Sequence, residues 1–319
     1  MLDVYVLSEF ERRNRSRKRM FVLHLGDRGF YAETTTVYRA MAYALANQLE
    51  LVLDCAEFSY SVEKGWNDYF LPICREYEAA MERHVDFHAR YPLGSDAPGS
   101  PRDLLRYAEQ VRYFQIEALE LGYLTLRGFG NILRTLAAAA FRLSPAAAAA
   151  VSERVEPLAL PAHYAAVHAR RGDKVGDEDH YYPTELYLDR VPELERSEAL
   201  FVMSDDYGFV EEVEASLRRR GLGTRVHTLC PPERRGFDIG KVRRGERYFD
   251  GGTRAAPRDA AYVFDETVQL LAETLVAAGA ASFVSTYGSN VGTVVRWLHP
   301  DPTRCPELDR SDLASTGSG

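Results

Sequence analysis

The segment HARRGDKVGDE, His168 to Glu178, places two arginines and a lysine within five residues and follows them with carboxylates. Guanidinium forks bind phosphate oxygens two at a time, so Arg170, Arg171 and Lys174 suit a pyrophosphate. Glu178 stands four residues beyond Lys174. A site that must hold an anion and also move a proton would carry charges of both signs at this density. Two more polar clusters follow apolar runs: Ser204-Asp205-Asp206 in MSDD, and Ser285 to Asn290 in STYGSN. Ser289 and Asn290 offer a hydroxyl, an amide and a helix N-terminus, all of which favour phosphate. Plainer readings exist for both clusters. Asp205-Asp206 also reads as a helix cap, and STYGSN as a turn feeding a helix. As a metal site the two adjacent aspartates are weak, because neighbouring side chains on a strand end point apart and ligate poorly.

The elements that would position these residues alternate. RMFVLHLG is a short apolar run ending in glycine, TTTVYRAMAYALANQ has helical spacing, and LELVLDC is a second strand. Residues 60–127 show no clean periodicity, and Tyr91–Asp103 reads as a loop from its Pro, Gly and Ser. In Gly130–Glu156 two helices meet at Ser144 and Pro145, a good N-cap followed by a good first helical residue. PLALPAH is the best linker. Beyond it come strand YAAVHA, helix PTELYLDRVPELE, strand ALFVMSDD, helix YGFVEEVEASLRRRG, strand TRVHTL and a basic, Gly-rich loop. The helix VFDETVQLLAETLVAAG, strand ASFVST and helix NVGTVVRWL complete the series. This is α/β alternation with parallel sheets, and in such sheets ligands bind beyond the carboxyl ends of the strands. The predicted organisation is an N-terminal lobe over 1–160, a Rossmann-like lobe over 161–310 and a disordered tail over 311–319. The three polar strand ends fall in the second lobe.

Composition narrows the classes. The chain has 319 residues, is 46% hydrophobic and carries a formal charge of -8, which argues against a nucleic-acid surface. The basic run Glu11–Arg19 reads as a solvated N-terminal segment. Neither a signal peptide nor an apolar stretch able to span a bilayer is evident. Four cysteines, Cys55, Cys74, Cys230 and Cys305, lie far apart with no zinc spacing and read as free thiols. A soluble, cytoplasmic protein is expected. No GxxxxGKS sequence is present, and GDRG is too loose for a dinucleotide fingerprint. A nucleoside diphosphate that departs as a leaving group fits better than a hydrolysed γ-phosphate.

HARRGDKVGDEDHYYPTELY resembles the pyrophosphate motif of GDP-fucose fucosyltransferases. The H-x-R-R-x-D core is shared with the α1,2 group, whereas K-V-G-x-E followed by P-x-x-x-Y resembles the α1,6-fucosyltransferases and the related nodulation enzymes. MSDD and FVSTYGSNVGTVVRWLHP resemble later family segments. GDRGFYAETTTVYRAMAYA and GWNDYFLPIC resemble the acceptor-lobe loop and its G-W-x-x-x-F-x-P signature. The resemblance implies a GT-B fold, two Rossmann-like lobes with a cleft between them. It implies inverting transfer of fucose from GDP-fucose to a hydroxyl of an oligosaccharide acceptor, α1,6-type, with no metal and no other cofactor. By resemblance Arg170 grips the β-phosphate, with Lys174 beside it as a catalytic cation and Glu178 as the base. His168 and Glu273 match guanine contacts. Arg171, Asp173, Tyr187, Asp205, Asp206, Ser289 and Asn290 match other donor-site positions. Glu273 stands where the family has Asp, and Asn290 where it has Gln. The resemblance does not extend to the family's membrane anchor, stem helices, C-terminal SH3-like domain or disulfide cysteines, and a compact, anchorless version is expected. Two alternatives stay open: a related GT-B transferase with another nucleotide sugar or a protein acceptor, and a catalytically silent GDP- or glycan-binding module.

Overall fold

Runs of apolar residues closed by short polar turns become parallel strands in two separate sheets. The computed structural model describes residues 2–15, 19–90, 129–171, 181–234, 259–286 and 288–316. The chain divides into two units, Met1–Ala148 with Pro257–Thr267, and Ala149–Ala256 with Val268–Gly319.

The first unit carries α1 (Leu2–Arg15), β1 (Met20–His24), α2 (Phe30–Asn47), β2 (Glu50–Asp54), β3 (Arg75–Glu76), β4 (Val85–Arg90) and α3 (Phe129–Ala140). Its sheet runs β3-β2-β1-β4, and every pairing is parallel. Nearly all of β1 and β2 is buried, as expected for strands covered on both faces. The strand β3 pairs with β2 only at Val52 and Leu53, which leaves Leu51 beyond the ladder on that side. Asn14 fills the gap: its amide accepts from the Leu51 N–H at 2.7 Å and donates to the Leu51 carbonyl at 2.9 Å. The side chain of a helix residue thus stands in for a strand residue.

The division between units falls within α4 (Pro145–Val155). The Ser144 side chain accepts from Ala147 N–H at 3.2 Å, as its position before Pro145 predicts. The second unit carries β5 (Ala165–Ala169), α5 (Thr184–Arg190), β6 (Ala199–Ser204), α6 (Tyr207–Arg219) and β7 (Arg225–His227). Then come α7 (Ala260–Ala278), β8 (Ser282–Thr286), α8 (Asn290–Leu298), β9 (Glu307–Leu308) and α9 (Arg310–Thr316). The sheet order is β7-β6-β5-β8-β9, again parallel throughout.

Several expectations differ from the structure. Of the run Glu11–Arg19, read as solvated, Glu11–Arg15 belong to the helix α1, which buries Phe10 and Asn14, while residues 16–18 lie outside the described residues. A fourth strand, β4, lies in the stretch without clear periodicity. The division falls at Ala148, not near 160, and residues 257–267, which include the start of α7, group with the first unit. Residues 311–316, expected as part of a disordered tail, belong to α9, which begins at Arg310. There Asp312 is buried, accepts from the Asp309 N–H at 2.8 Å and pairs with Arg190, contacts that anchor the helix. All four cysteines are free thiols, and burial pushes Cys55 and Cys230 up to about 12, so they stay protonated. Among the described residues no helix is long and apolar enough to cross a membrane.

Replacing Asn14 by alanine strips two buried backbone groups of their partners. Each orphaned group costs about 1–3 kcal/mol, so Asn14→Ala should lower the unfolding free energy by about 2 kcal/mol or more in a denaturant titration. A change below about 0.5 kcal/mol, typical of a surface substitution, would contradict this reading of α1.

Candidate functional site

The order β7-β6-β5-β8-β9 reverses direction between β5 and β8, the place where open α/β sheets hold ligands. Pairing of β5 with β8 runs from Ala165 opposite Ser282 to Val167 opposite Val284 and goes no further. On the other side, β5 stays paired with β6 as far as Ala169 and Ser204. His168 therefore sits where β5 and β8 part. Its Nδ1 lies 3.5 Å from the Ser289 hydroxyl, which caps α8 by accepting from the Gly292 N–H at 3.2 Å. Gly292 allows α8 to come this close: a Cβ there would stand 2.4 Å from Ser285 Oγ and 2.8 Å from its Cβ. His168 and Ser289 are both buried, whereas Asn290, the first residue of α8, is exposed.

The ends of β5 and β6 are stitched together. Ser204 Oγ donates to the Ala169 carbonyl at 2.9 Å, and Asp205 accepts from the Arg171 N–H at 2.7 Å. Asp206 caps α6 through the Gly208 N–H at 2.8 Å. The adjacent aspartates thus hold the backbone in two different places. Among the described residues no group of three or more His, Cys, Asp or Glu is arranged to hold a metal ion.

The guanidinium of Arg171 turns inward. Its side chain is only 5% exposed. It lies 4.0 Å over the Tyr181 ring and 4.9 Å over Phe209, with Thr184 and Glu212 on its terminal nitrogen. Tyr187, another expected donor-site residue, is buried in the core against Phe209 and Tyr182, and its ring supports this sandwich at 5.9 Å from the Arg171 guanidinium. Arg170 follows directly on the end of β5, and its charge acts on His168. Burial first, and then the Arg170 charge, push His168 down to about 3. The ring is neutral at ordinary pH and offers one N–H donor and one bare nitrogen. Glu273, on α7, is buried and accepts from Gln269 at 3.2 Å. Gln269 also donates to the Leu229 carbonyl at 3.0 Å, which fixes the pair. Asp173, Lys174 and Glu178 lie outside the described residues.

Sequence reading missed Tyr181, Thr184 and Glu212 around Arg171, and Gln269 beside Glu273. Only Gln269 left a signal: it sits four residues before Glu273, on the same side of the helix. In the first unit, the GWNDYF stretch is a structural corner. Gly65 has φ +58°, and a Cβ there would lie 2.4 Å from Cys55 Cβ. The Asp68 carboxylate gathers the N–H groups of Val62, Glu63 and Lys64 at 2.7–3.1 Å, and buried Trp66 stacks on Phe70.

No family model and no curated protein matches the chain. Among solved structures it is similar to NodZ α-1,6-fucosyltransferase soaked with GDP-fucose, with 16% identity and a TM-score of 0.51, covering 92% of this chain and 97% of that one. NodZ from Bradyrhizobium gives 14% identity and a TM-score of 0.52 over 89% of this chain and 94% of that one. A mutant of Arabidopsis thaliana FUT1 in complex with GDP gives 14% and 0.51 over 92% and 73%. The chain therefore has the GT-B fold of these fucosyltransferases, as its sequence predicts.

The neutral state of His168 has a consequence for stability. Unfolded, the ring takes up a proton near 6.5; folded, it refuses one until about 3. Its stabilising contribution is complete above about 6.5 and is lost as the pH falls towards 3. Compared with His168→Gln, the wild type should lose on the order of 1 kcal/mol per pH unit between about pH 6 and 4. Parallel stability curves for the two proteins would contradict the burial of a neutral imidazole.

Proposed function

We propose that the chain is a fucosyltransferase that moves fucose from GDP-fucose to a hydroxyl of a glycan, inverting the anomeric carbon and using no metal. The observation that carries this reading is the switch point between β5 and β8. There His168, the capped N-terminus of α8 and Arg170 gather at the strand ends, in a chain whose fold is that of solved fucosyltransferases.

The diphosphate sits against Arg170 and the N-terminus of α8, where backbone N–H groups and the helix dipole favour negative charge. His168 reads the guanine edge with its single N–H and bare nitrogen. Glu273, held by Gln269, accepts from guanine N–H groups. In the reaction the acceptor oxygen forms a bond to the fucose anomeric carbon while the bond to the β-phosphate oxygen breaks. GDP leaves with the electron pair, and the proton of the acceptor hydroxyl passes to Glu178. Charge grows on the β-phosphate as this happens, so Arg170 and Lys174 stabilise the transition state more than the ground state. Arg171 and Asp205 act one step back. The Arg171 N–H on Asp205 and the guanidinium between Tyr181 and Phe209 fix the backbone that carries Arg170. The α1,6 linkage and the glycan acceptor are part of this reading, supported by the motif that begins at His168.

Three variants test the reading. Arg170→Ala should lower the rate of fucose transfer by about 10²-fold or more, and Arg170→Lys should recover little, since lysine keeps the charge and loses the fork. Full activity in Arg170→Lys would show that the fork is irrelevant. Glu178→Gln keeps size and hydrogen bonding but takes no proton. It should leave GDP affinity by calorimetry unchanged and cut turnover by about 10²–10⁴-fold. Unchanged turnover would remove Glu178 as the base. GDP binding with no transfer by the wild type from any nucleotide sugar would leave a nucleotide-binding module in place of an enzyme.

A further inference from the structure

The first unit has a polar cluster of its own at the carboxyl ends of its strands, and the proposed transfer reaction makes no use of it. Its sheet order, β3-β2-β1-β4, reverses between β1 and β4. His24 is the last residue of β1, directly opposite Asp54 at the end of β2, and His88 lies diagonally across on β4. Four side chains form one line. Asp54 Oδ2 is 2.6 Å from His24 Nδ1, His24 Nε2 is 2.8 Å from His88 Nδ1, and His88 Nε2 is 3.2 Å from Glu82. The two rings are 25° from coplanar with centroids 5.0 Å apart. Together with the 2.8 Å between nitrogens, this means that they meet edge to edge, as a hydrogen bond requires. At the two ends, Asp54 Oδ1 accepts from the Ala56 N–H at 3.0 Å, and Tyr77 donates to Glu82. The Tyr77 hydroxyl, and after it His88, hold Glu82 below the usual carboxylate range, so it is available to accept.

Counting protons along this line gives a definite answer. Each of its three contacts needs one hydrogen. Two neutral imidazoles bring two, and the ionised carboxylates bring none. With both rings neutral, one of the three contacts is left without a hydrogen: the 2.8 Å contact between the rings when each outer nitrogen donates to its carboxylate, or a carboxylate contact when one ring turns its N–H towards the other. One more proton completes the line and lowers the charge of the group from -2 to -1.

We propose that His24 and His88 form a one-proton site that latches β4, the outer strand among the described residues, to β1 and β2. When the site is loaded, an imidazolium is shared between the rings and bracketed by Asp54 and Glu82. When the proton leaves, one of the three contacts loses its hydrogen, and this tie of β4 to β1 and β2 is weakened. Other charged groups nearby are already committed: Asp86 of β4 to Arg19, Arg28 after β1 to Glu33 and Thr36, and Arg83 to His84. The aromatic face against the pair is Tyr77, edge-on to His88 at 5.9 Å. Sharing between two rings on adjacent strands makes this a binding site for a proton, with the docking of β4 as its readout. It does not depend on the donor chemistry of the second unit.

Imidazole nitrogen NMR on the full chain tests the proposal. Over about pH 5 to 8, where imidazoles titrate, the two rings of the wild type should take up one proton between them, their signals moving together. In His88→Gln, His24 should titrate alone with a displaced midpoint. Amide exchange over residues 85–90, corrected for its intrinsic pH dependence, should speed up about tenfold or more once the proton is lost, the scale of one charged hydrogen bond. Two protons taken up with independent midpoints would overturn the site. So would a His24 curve unchanged by His88→Gln. Equal corrected exchange at both ends of the range would overturn the latch. Should His88→Gln fail to fold, the proton count and the exchange rates of the wild type still decide.

Discussion

The parting of β5 from β8 after Val167 and Val284 sets up everything at the candidate site. One residue further of regular pairing would have closed the sheet over His168. Instead β5 stays zipped to β6 through Ala169 and Ser204, so the strand end is held on one side and open on the other. Gly292 lets α8 slide against Ser285 without a clash, and Ser289 caps that helix beside the imidazole. A helix N-terminus, a neutral histidine and a following arginine are thereby gathered with little freedom to rearrange. That preorganisation is what electrostatic catalysis on a leaving diphosphate requires.

The two sheets repeat one design with opposite chemistry. Each reverses its strand order beside its first strand, and each sets a histidine at the end of that strand. In the second unit burial and Arg170 drive the proton off His168. In the first, His24 stands between Asp54 and a second histidine. By our proposals, the same topological position serves neutral hydrogen-bond recognition in one unit and proton storage in the other.

Much of this was readable from residue types. The strands covered on both faces announce themselves as continuous apolar runs: MFVLH, ELVLD, AAVHA, ALFVMS and SFVST. The caps at Ser144, Asp206 and Ser289 follow from a short polar side chain ahead of a helical run. What escaped was decided by tertiary context. In β4 the acidic Asp86 and the basic His88 interrupt the apolar signal; both are exposed on a strand that is the outer one among the described residues. α1 was hidden because its arginines outweigh the few residues it buries. The type of Arg171 predicted an anion partner, yet its orientation is set by Tyr181 and Phe209. Tyr181 is ten residues and Phe209 thirty-eight residues further along the chain, and no local pattern encodes that sandwich.

The central claim is that the switch point beside His168 holds a guanine nucleoside diphosphate. A thermal-unfolding comparison of the full chain with GDP, UDP and ADP at equal concentration tests it most directly. The account predicts that GDP at about one hundred times its dissociation constant stabilises the fold by about 2.7 kcal/mol. UDP and ADP, which cannot offer Glu273 the paired guanine N–H groups, should do much less. No stabilisation by GDP, or equal stabilisation by all three, would contradict it.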